Sequence, residues 1–428
     1  LTNRFCVAAA WLLDHVLVSA LLLDYPAVMR KLELSTPVLV LFACAASGQS
    51  IDAVVAKGGL VHLTSSYQLN HTLIIPPNTQ LTCDAGVKLS EAPNLKLNTL
   101  LQITGKGVRI EGCGIYASGT PVILALGPHS SGISLLRNHL NGNNQAHGIL
   151  IDAPDIHDVT IETNVFEDVK YGILQNVHAA DLTNVVIDGN TFSNIWADAI
   201  ELNNPVTNDC CGMRLGDVRA SHITIKGNTF KVPKHAGSGA GAGFCVGVAG
   251  AHDVEISGND CVAWSAGIHV EDRAYNIQIT GNSVLTDDHG TNGEQSAIWI
   301  NDGQHMVISN NRIRDSAGDG IHVDYTVGHQ ASDMEIHDNE ITGCGRYGMF
   351  ISGGSLGPMN SRVHDNTVTG CAKPIVLIGK LNSLSIHANR LDAKNGCVFD
   401  TSQNKGAVDI GENKDVSSGG DANTTCGR

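Results

Sequence analysis

The chain has 428 residues, of which only 16% are charged and 4% aromatic, with 47 glycines and a formal charge of −15. Aliphatic residues are ample for a core, but the large rings that anchor most globular cores are scarce. The acidic balance excludes nucleic acid as the expected partner, because phosphate binding needs a basic face, whereas a polysaccharide stays possible because a local site can override net charge.

The chain opens on Leu1, and Met29-Arg30-Lys31 begins a short basic region. The apolar stretch Val38 to Cys44 follows, then the small residues Ala45-Ala46-Ser47-Gly48. This order is the three-part layout of an export signal. Residues 1–50 are therefore expected to be an upstream segment plus signal, with Met29 as the start. Leu41-Phe42-Ala43-Cys44 also resembles a bacterial lipoprotein cleavage box, so a secreted or periplasmic product and lipid anchoring at Cys44 both fit. After residue 50 no apolar run reaches about 18 residues, and no membrane span is expected. Ten cysteines lie beyond residue 50, an even number suited to an oxidising compartment. Cys344 and Cys371 each lie five residues after a repeated Asn, which places them on neighbouring coils, either bonded or stacked as small hydrophobes. Cys397 and Cys426 are placed to clip the C-terminal end.

From residue 135 an aliphatic residue, two spacers and Asn recur: Leu135…Asn138, Ile161…Asn164, Ile187…Asn190, Ile225…Asn228, Ile256…Asn259 and Ile279…Asn282. Ile308…Asn311, Ile336…Asn339, Val363…Asn366, Ile386…Asn389 and Ile410…Asn413 continue the series. Apart from one step of 38, the steps run from 23 to 31 residues. Each unit has a short alternating strand, a turn at or near Gly-Asn, and about ten residues later a second strand of the form Gly-Ile-x-Val. Strands this short, with no helical run between them, cannot build βαβ units. They can wind as a coil whose turns pair in parallel, about 4.8 Å apart. Asn tolerates the left-handed backbone of such a turn, and Asn side chains stacked in register can bond along an internal ladder. The expected fold is all-β: a right-handed parallel β-helix, a solenoid of about a dozen coils over residues 51–415, with a short N-terminal cap and a tail at 416–428.

On these repeats the chain resembles the pectate-lyase-like superfamily of single-stranded right-handed β-helices over roughly residues 50–415. Gly58-Gly59-Leu60-Val61-His62-Leu63 and Leu73-Ile74-Ile75-Pro76-Pro77-Asn78-Thr79 are similar to the cap and first coil of that family. The resemblance implies carbohydrate as the ligand class. It carries over no catalytic residue. Of the polygalacturonase motifs Asn-Thr-Asp, Asp-Asp, Gly-His-Gly and Arg-Ile-Lys, the chain has Asp287-Asp288 and, later, Arg312-Ile313-Arg314, but no Gly-His-Gly lies between them, and the Asp-Pro-His-Asp of alginate epimerases is absent.

In Gly-Ile-x-Val-x the aliphatic residues point inward and each x points out. One outward column then reads Leu150, Leu174, Glu201, Cys245, His269, Trp299, His322, Phe350 and Val376. A second reads Asp152, Asn176, Asn203, Gly247, Glu271, Asn301, Asp324 and Ser352. The first column is apolar at both ends and polar in the middle, where the longer connections 203–221, 231–242 and 285–295 also fall. A repeat protein places its insertions on one face, often the binding face. The expected site is a trough floored by Glu201 to Asp324, with Trp299 as a sugar platform. For hydrolysis, Glu271 and Asp324 stand two coils apart, near the separation that an inverting pair needs. For a lyase or epimerase, His269 or His322 serves as base, with Arg273 or a Ca²⁺ ion neutralising a uronate. Substrate contacts are expected from Glu201, Trp299, Asn301, Arg273, Asp302, Tyr325, Asp287 and Asp288. The alternative is a non-catalytic polysaccharide-binding, adhesin or tailspike-like β-helix.

Overall fold

The computed structural model describes residues 43–44, 50–177, 180–204, 218–232, 243–286, 295–325, 331–354, 359–394, 398–404 and 406–426. The chain divides into two units, Leu1–Leu41 and Phe42–Arg428. The first lies outside the described residues, and with it most of the expected export segment. Ala43–Cys44 is described, and it pairs in parallel with Val61 and His62 at the head of a sheet.

Among the described residues the strands form three sheets of fifteen, fourteen and fourteen, and each coil gives one strand to each sheet in strict rotation. The chain is thus an all-β, right-handed parallel solenoid. A single short helix, Ile51–Val55, precedes the coils. The side chain of its N-cap Ser50 accepts from Ala53 N, and Ile51, Val54 and Val55 are buried. Pairing does not stop at residue 415, as the sequence suggested, because Thr425–Cys426 joins the strand Phe399–Asn404 in the second sheet.

The strands alternate as the periodicity predicts. In the first sheet Val185 and Ile187, Ile223 and Ile225, and Val254 and Ile256 all lie in the core, while the residues between them face out. Phe166, Phe192 and Phe230 stack inside the third sheet, with centroids 4.6 and 4.9 Å apart. The repeated Asn residues do form an internal ladder. Asn190 Nδ2 donates to Asn228 Oδ1 at 3.0 Å and to Ile161 O at 2.8 Å, and Asn190 N also donates to Asn228 Oδ1. The same pattern runs unbroken from Asn138 to Asn413, which donates to Asn423. The left-handed residue at each turn, however, is the one before the ladder Asn: Arg137, Thr163, Gly189, Gly227, Gly258 and Gly281 all have positive φ. The Asn itself is fixed by its buried amide, so the strained conformation falls one place earlier, where Gly is frequent.

Three disulfides are described: Cys83–Cys113, Cys245–Cys261 and Cys344–Cys371. Of the two readings of Cys344 and Cys371, the bonded one holds. Cys426 is also disulfide-bonded, while Cys397 lies outside the described residues.

Candidate functional site

Seven of the expected site residues lie on strands of the second sheet. Glu201 is on Ile200–Asn203, and His269 and Glu271 are on Ile268–Glu271. Trp299 and Asn301 are on Ile298–Asn301, and His322 and Asp324 are on Ile321–Asp324. Backbone register places His269 beside Trp299, Trp299 beside His322, and Asn301 beside Asp324. One coil was misread from sequence. Glu201 pairs with Gly247, and Gly247 pairs with His269. The first column therefore contains Gly247 where Cys245 was expected, and the second contains Ala249 where Gly247 was expected. Gly243-Phe244-Cys245-Val246 imitates the Gly-Ile-x-Val pattern two residues early. The true strand is Val246–Ala249, and Cys245 occupies the place of the usual small residue because its sulfur is bonded to Cys261.

Gly247 gives the site room. A Cβ there would stand 2.6 Å from Glu201 Oε2, so the carboxyl of Glu201 lies across the bare backbone of the next coil. Beneath it Asp198, 4% exposed, accepts hydrogen bonds from Gly243 N at 2.7 Å and Phe244 N at 2.8 Å. Burial raises the pKa of Asp198 despite those bonds. Burial also raises that of Glu201, with the charges of Asp198 and Glu271 adding to it. Glu271 is pushed up to about 7 by burial and by Asp272 and Asp302.

His269 and His322 point outward yet are covered, at 6% and 7% exposure. His269 stacks on Trp299 at 4.3 Å and meets Phe244 edge-on at 5.0 Å. Its Nε2 has no hydrogen-bond partner and faces Glu271 Oε2 at 3.7 Å. Burial, helped by His322, lowers its pKa to about 3, so the ring is neutral. His322 stacks on Phe350 at 4.5 Å. Its Nδ1 lies 2.8 Å from Asp319 Oδ2, and its Nε2 lies 3.6 Å from Asp324 Oδ2. Burial opposes its protonation, but these two carboxylates outweigh burial and raise its pKa. Burial would raise Asp324, but bonds from His322, Tyr325 N and Ser352 hold it below the ordinary range.

Of the expected substrate contacts, Arg273 lies in the turn after the Glu271 strand, only 5% exposed, with its backbone N donating to Asp302 Oδ1 at 2.9 Å. Asp302 is buried, and Tyr325 is 40% exposed. Asp287 and Asp288 lie outside the described residues, as do most of the long connections expected to wall the trough. Among the described residues no group of three or more His, Cys, Asp or Glu is disposed to hold a metal ion, and no helix is long and apolar enough to cross a membrane.

Sequence reasoning missed Asp198 and Asp319. Both lie three residues before an outward column residue and bind backbone N–H groups of the following coil. Asp319 accepts from Tyr347 N at 3.1 Å and takes Arg346 through both carboxylate oxygens. The signal was present as Asp198-Ala199-Ile200-Glu201 and Asp319-Gly320-Ile321-His322, where Asp precedes the small residue of the strand pattern.

Residues 218–391 match the family model described as the right handed beta helix region. No curated protein matches the sequence. Among solved structures, the bacteriophage phi29 gene product 12 is similar at 13% identity and a TM-score of 0.53, over 88% of this chain. The chain spans 55% of that protein's length. The A-module of the Azotobacter vinelandii mannuronan C-5 epimerase AlgE4 aligns at 13% identity and a TM-score of 0.47, covering 78% of this chain and 94% of the module. The catalytic unit of an α-1,3-glucanase from Streptomyces thermodiastaticus aligns at 14% identity and 0.45, covering 87% of this chain and 66% of that one. The chain is a right-handed parallel β-helix protein, and its residues 218–391 carry the sequence pattern of the right handed beta helix region.

Proposed function

We propose that the protein cleaves the glycosidic bonds of an extracellular polysaccharide, in the trough on the outer face of the second sheet, with Glu271 as general acid and Asp324 as general base. The observation that carries this reading is the opposite tuning of these two carboxyls. Glu271 is raised to about 7 and Asp324 is lowered, in one column on either side of Asn301. A pair of acids driven apart in this way has its roles assigned, one protonated to serve the leaving oxygen and one ionised to activate water. Two strand spacings separate the backbones by ~9.6 Å, and a modest inward tilt of the side chains would bring the carboxyls within the about 6.5–9.5 Å that inverting enzymes use. Both keep partial access to solvent, with side-chain exposures of 33% and 39%.

His322, held on buried Asp319, orients Asp324 and keeps it charged. His269 and Trp299 supply a flat floor for a sugar ring. The lyase and epimerase form of the reaction would instead use a His base with Arg273 or Ca²⁺. The burial of both imidazoles and of Arg273 makes it the weaker reading. Disulfides fit a site that works outside the cytoplasm.

The test is incubation with a panel of uronate and neutral polysaccharides, following new reducing ends and ultraviolet-absorbing unsaturated ends separately. Reducing ends alone, with inverted anomeric configuration by NMR, are expected. Glu271→Gln and Asp324→Asn should each lower turnover by about 10²–10⁴-fold without loss of folding. Binding without turnover of any polymer would replace this reading with the adhesin-like one, and unsaturated ends would replace it with the lyase.

A further inference from the structure

The described part of the trough has no cation to spare. Arg346 is doubly hydrogen-bonded to Asp319, Arg273 is buried against Asp272, and His322 lies on Asp319. Asp198, Glu201 and Glu271, which line the next coils, have no lysine or arginine within ion-pair distance among the described residues. Lys170, over the ring of Tyr171, belongs to the apolar coil before them. A carboxylate on a bound sugar would therefore enter a partly desolvated groove with no cation to neutralise it, beside acids whose own ionisation the same surroundings already oppose.

A second observation points to the groups that do fit. His269 Nε2 is buried, faces Glu271 across 3.7 Å and has no hydrogen-bond partner. Trp299 Nε1, stacked against it, is likewise buried and without a partner. A buried polar nitrogen left without a partner beside a candidate site calls for a group to satisfy it. The indole nitrogen only donates, while the neutral imidazole and the protonated carboxyl of Glu271 take either role. A sugar hydroxyl, which both donates and accepts, serves all three.

We propose that the sugars bound between Glu201 and Asp324 carry hydroxyls and no carboxylate, so that the polysaccharide is a neutral one. This rests on the reading of the trough given above and deepens it to a substrate class. It also separates this chain from any uronate-specific activity on the same fold.

The experiment uses matched pairs, each a uronate polymer and its carboxyl-reduced counterpart with the same linkages, in binding and cleavage assays with the full chain. In at least one pair the reduced member should bind and be cleaved at least ~10-fold better, with the binding ratio widening as pH rises through about 7 and the acids of the groove ionise. Glu201→Gln, which keeps the shape and removes a group that can ionise, should narrow that binding ratio at high pH from the uronate side. A uronate member processed as well as or better than its reduced partner overturns the neutral class, while leaving the trough intact as a site if Glu271→Gln still abolishes that cleavage. Failure to bind or cleave any member of any pair overturns both.

Discussion

Glu271 shows how far a residue's chemistry depends on neighbours that the sequence does not place beside it. Its outward position was legible from the alternation of Ile268-His269-Val270-Glu271, but the displacement of its pKa was not. That comes from burial and from Asp272 and Asp302, the latter one coil away. The displacement has a sign. Between an ordinary carboxyl pKa near 4.3 and about 7, the folded protein holds a proton that the unfolded chain has lost. The stabilisation is therefore full at low pH and falls away as pH rises through 7. The midpoint of thermal unfolding should drop from pH 5 to pH 8, and Glu271→Gln should flatten the drop, with Glu201 contributing what remains. In the same way kcat/KM should decline above about pH 7, as Glu271 loses its proton. The two histidines teach the converse lesson. The period-two pattern made them surface residues, and rings stacked above and below made them buried ones, which no pattern within one strand can reveal.

At the scale of the element, the ladder was the most legible feature, because its spacing is written directly in the chain. Asn259 shows what each rung supports. Its amide accepts from Asn228 N and Asn228 Nδ2, and donates to Ile225 O and Asn282 Oδ1. Asn259→Ala would strand several buried groups at a cost of about 1–3 kcal/mol each. A loss of about 3 kcal/mol or more is expected from chemical denaturation. Asn413→Ala should lose less, since its outer partner Asn423 is only partly buried. The register error at Val246–Ala249 arose at this scale too. A strand pattern read locally cannot tell Gly243 from Cys245 as the small inner residue, and only pairing with the coils on both sides fixes it.

For the whole molecule, the fold was legible because a solenoid repeats one decision, and eleven noisy copies outweigh any single misreading. The site was less legible because it is defined by departures from the repeat. Its floor crosses five strands, a span of ~19 Å at the strand spacing. On the proposed function, kcat/KM should climb with oligosaccharide length and level off once an oligomer covers the distance from Glu201 to Asp324. The disulfides act on the same scale. Their sequence separations of 30, 16 and 27 residues each remove loop entropy from the unfolded chain, by about 3 kcal/mol in that model. Unfolding in the presence of a reductant should show a clearly lowered midpoint.

The asparagine ladder also has a direction. Along the row itself, every side-chain amide from Asn138 to Asn413 donates to the Asn that follows, and its oxygen accepts from the coil before, while the second N–H holds a backbone carbonyl of that earlier coil. The amide dipoles consequently point head to tail along the axis, as peptide dipoles do in a helix. Turning one amide over would set donor against donor on one side and acceptor against acceptor on the other. The orientation of the row is therefore a collective property, and the interior of the solenoid is a polar wire with distinguishable ends inside an otherwise aliphatic core.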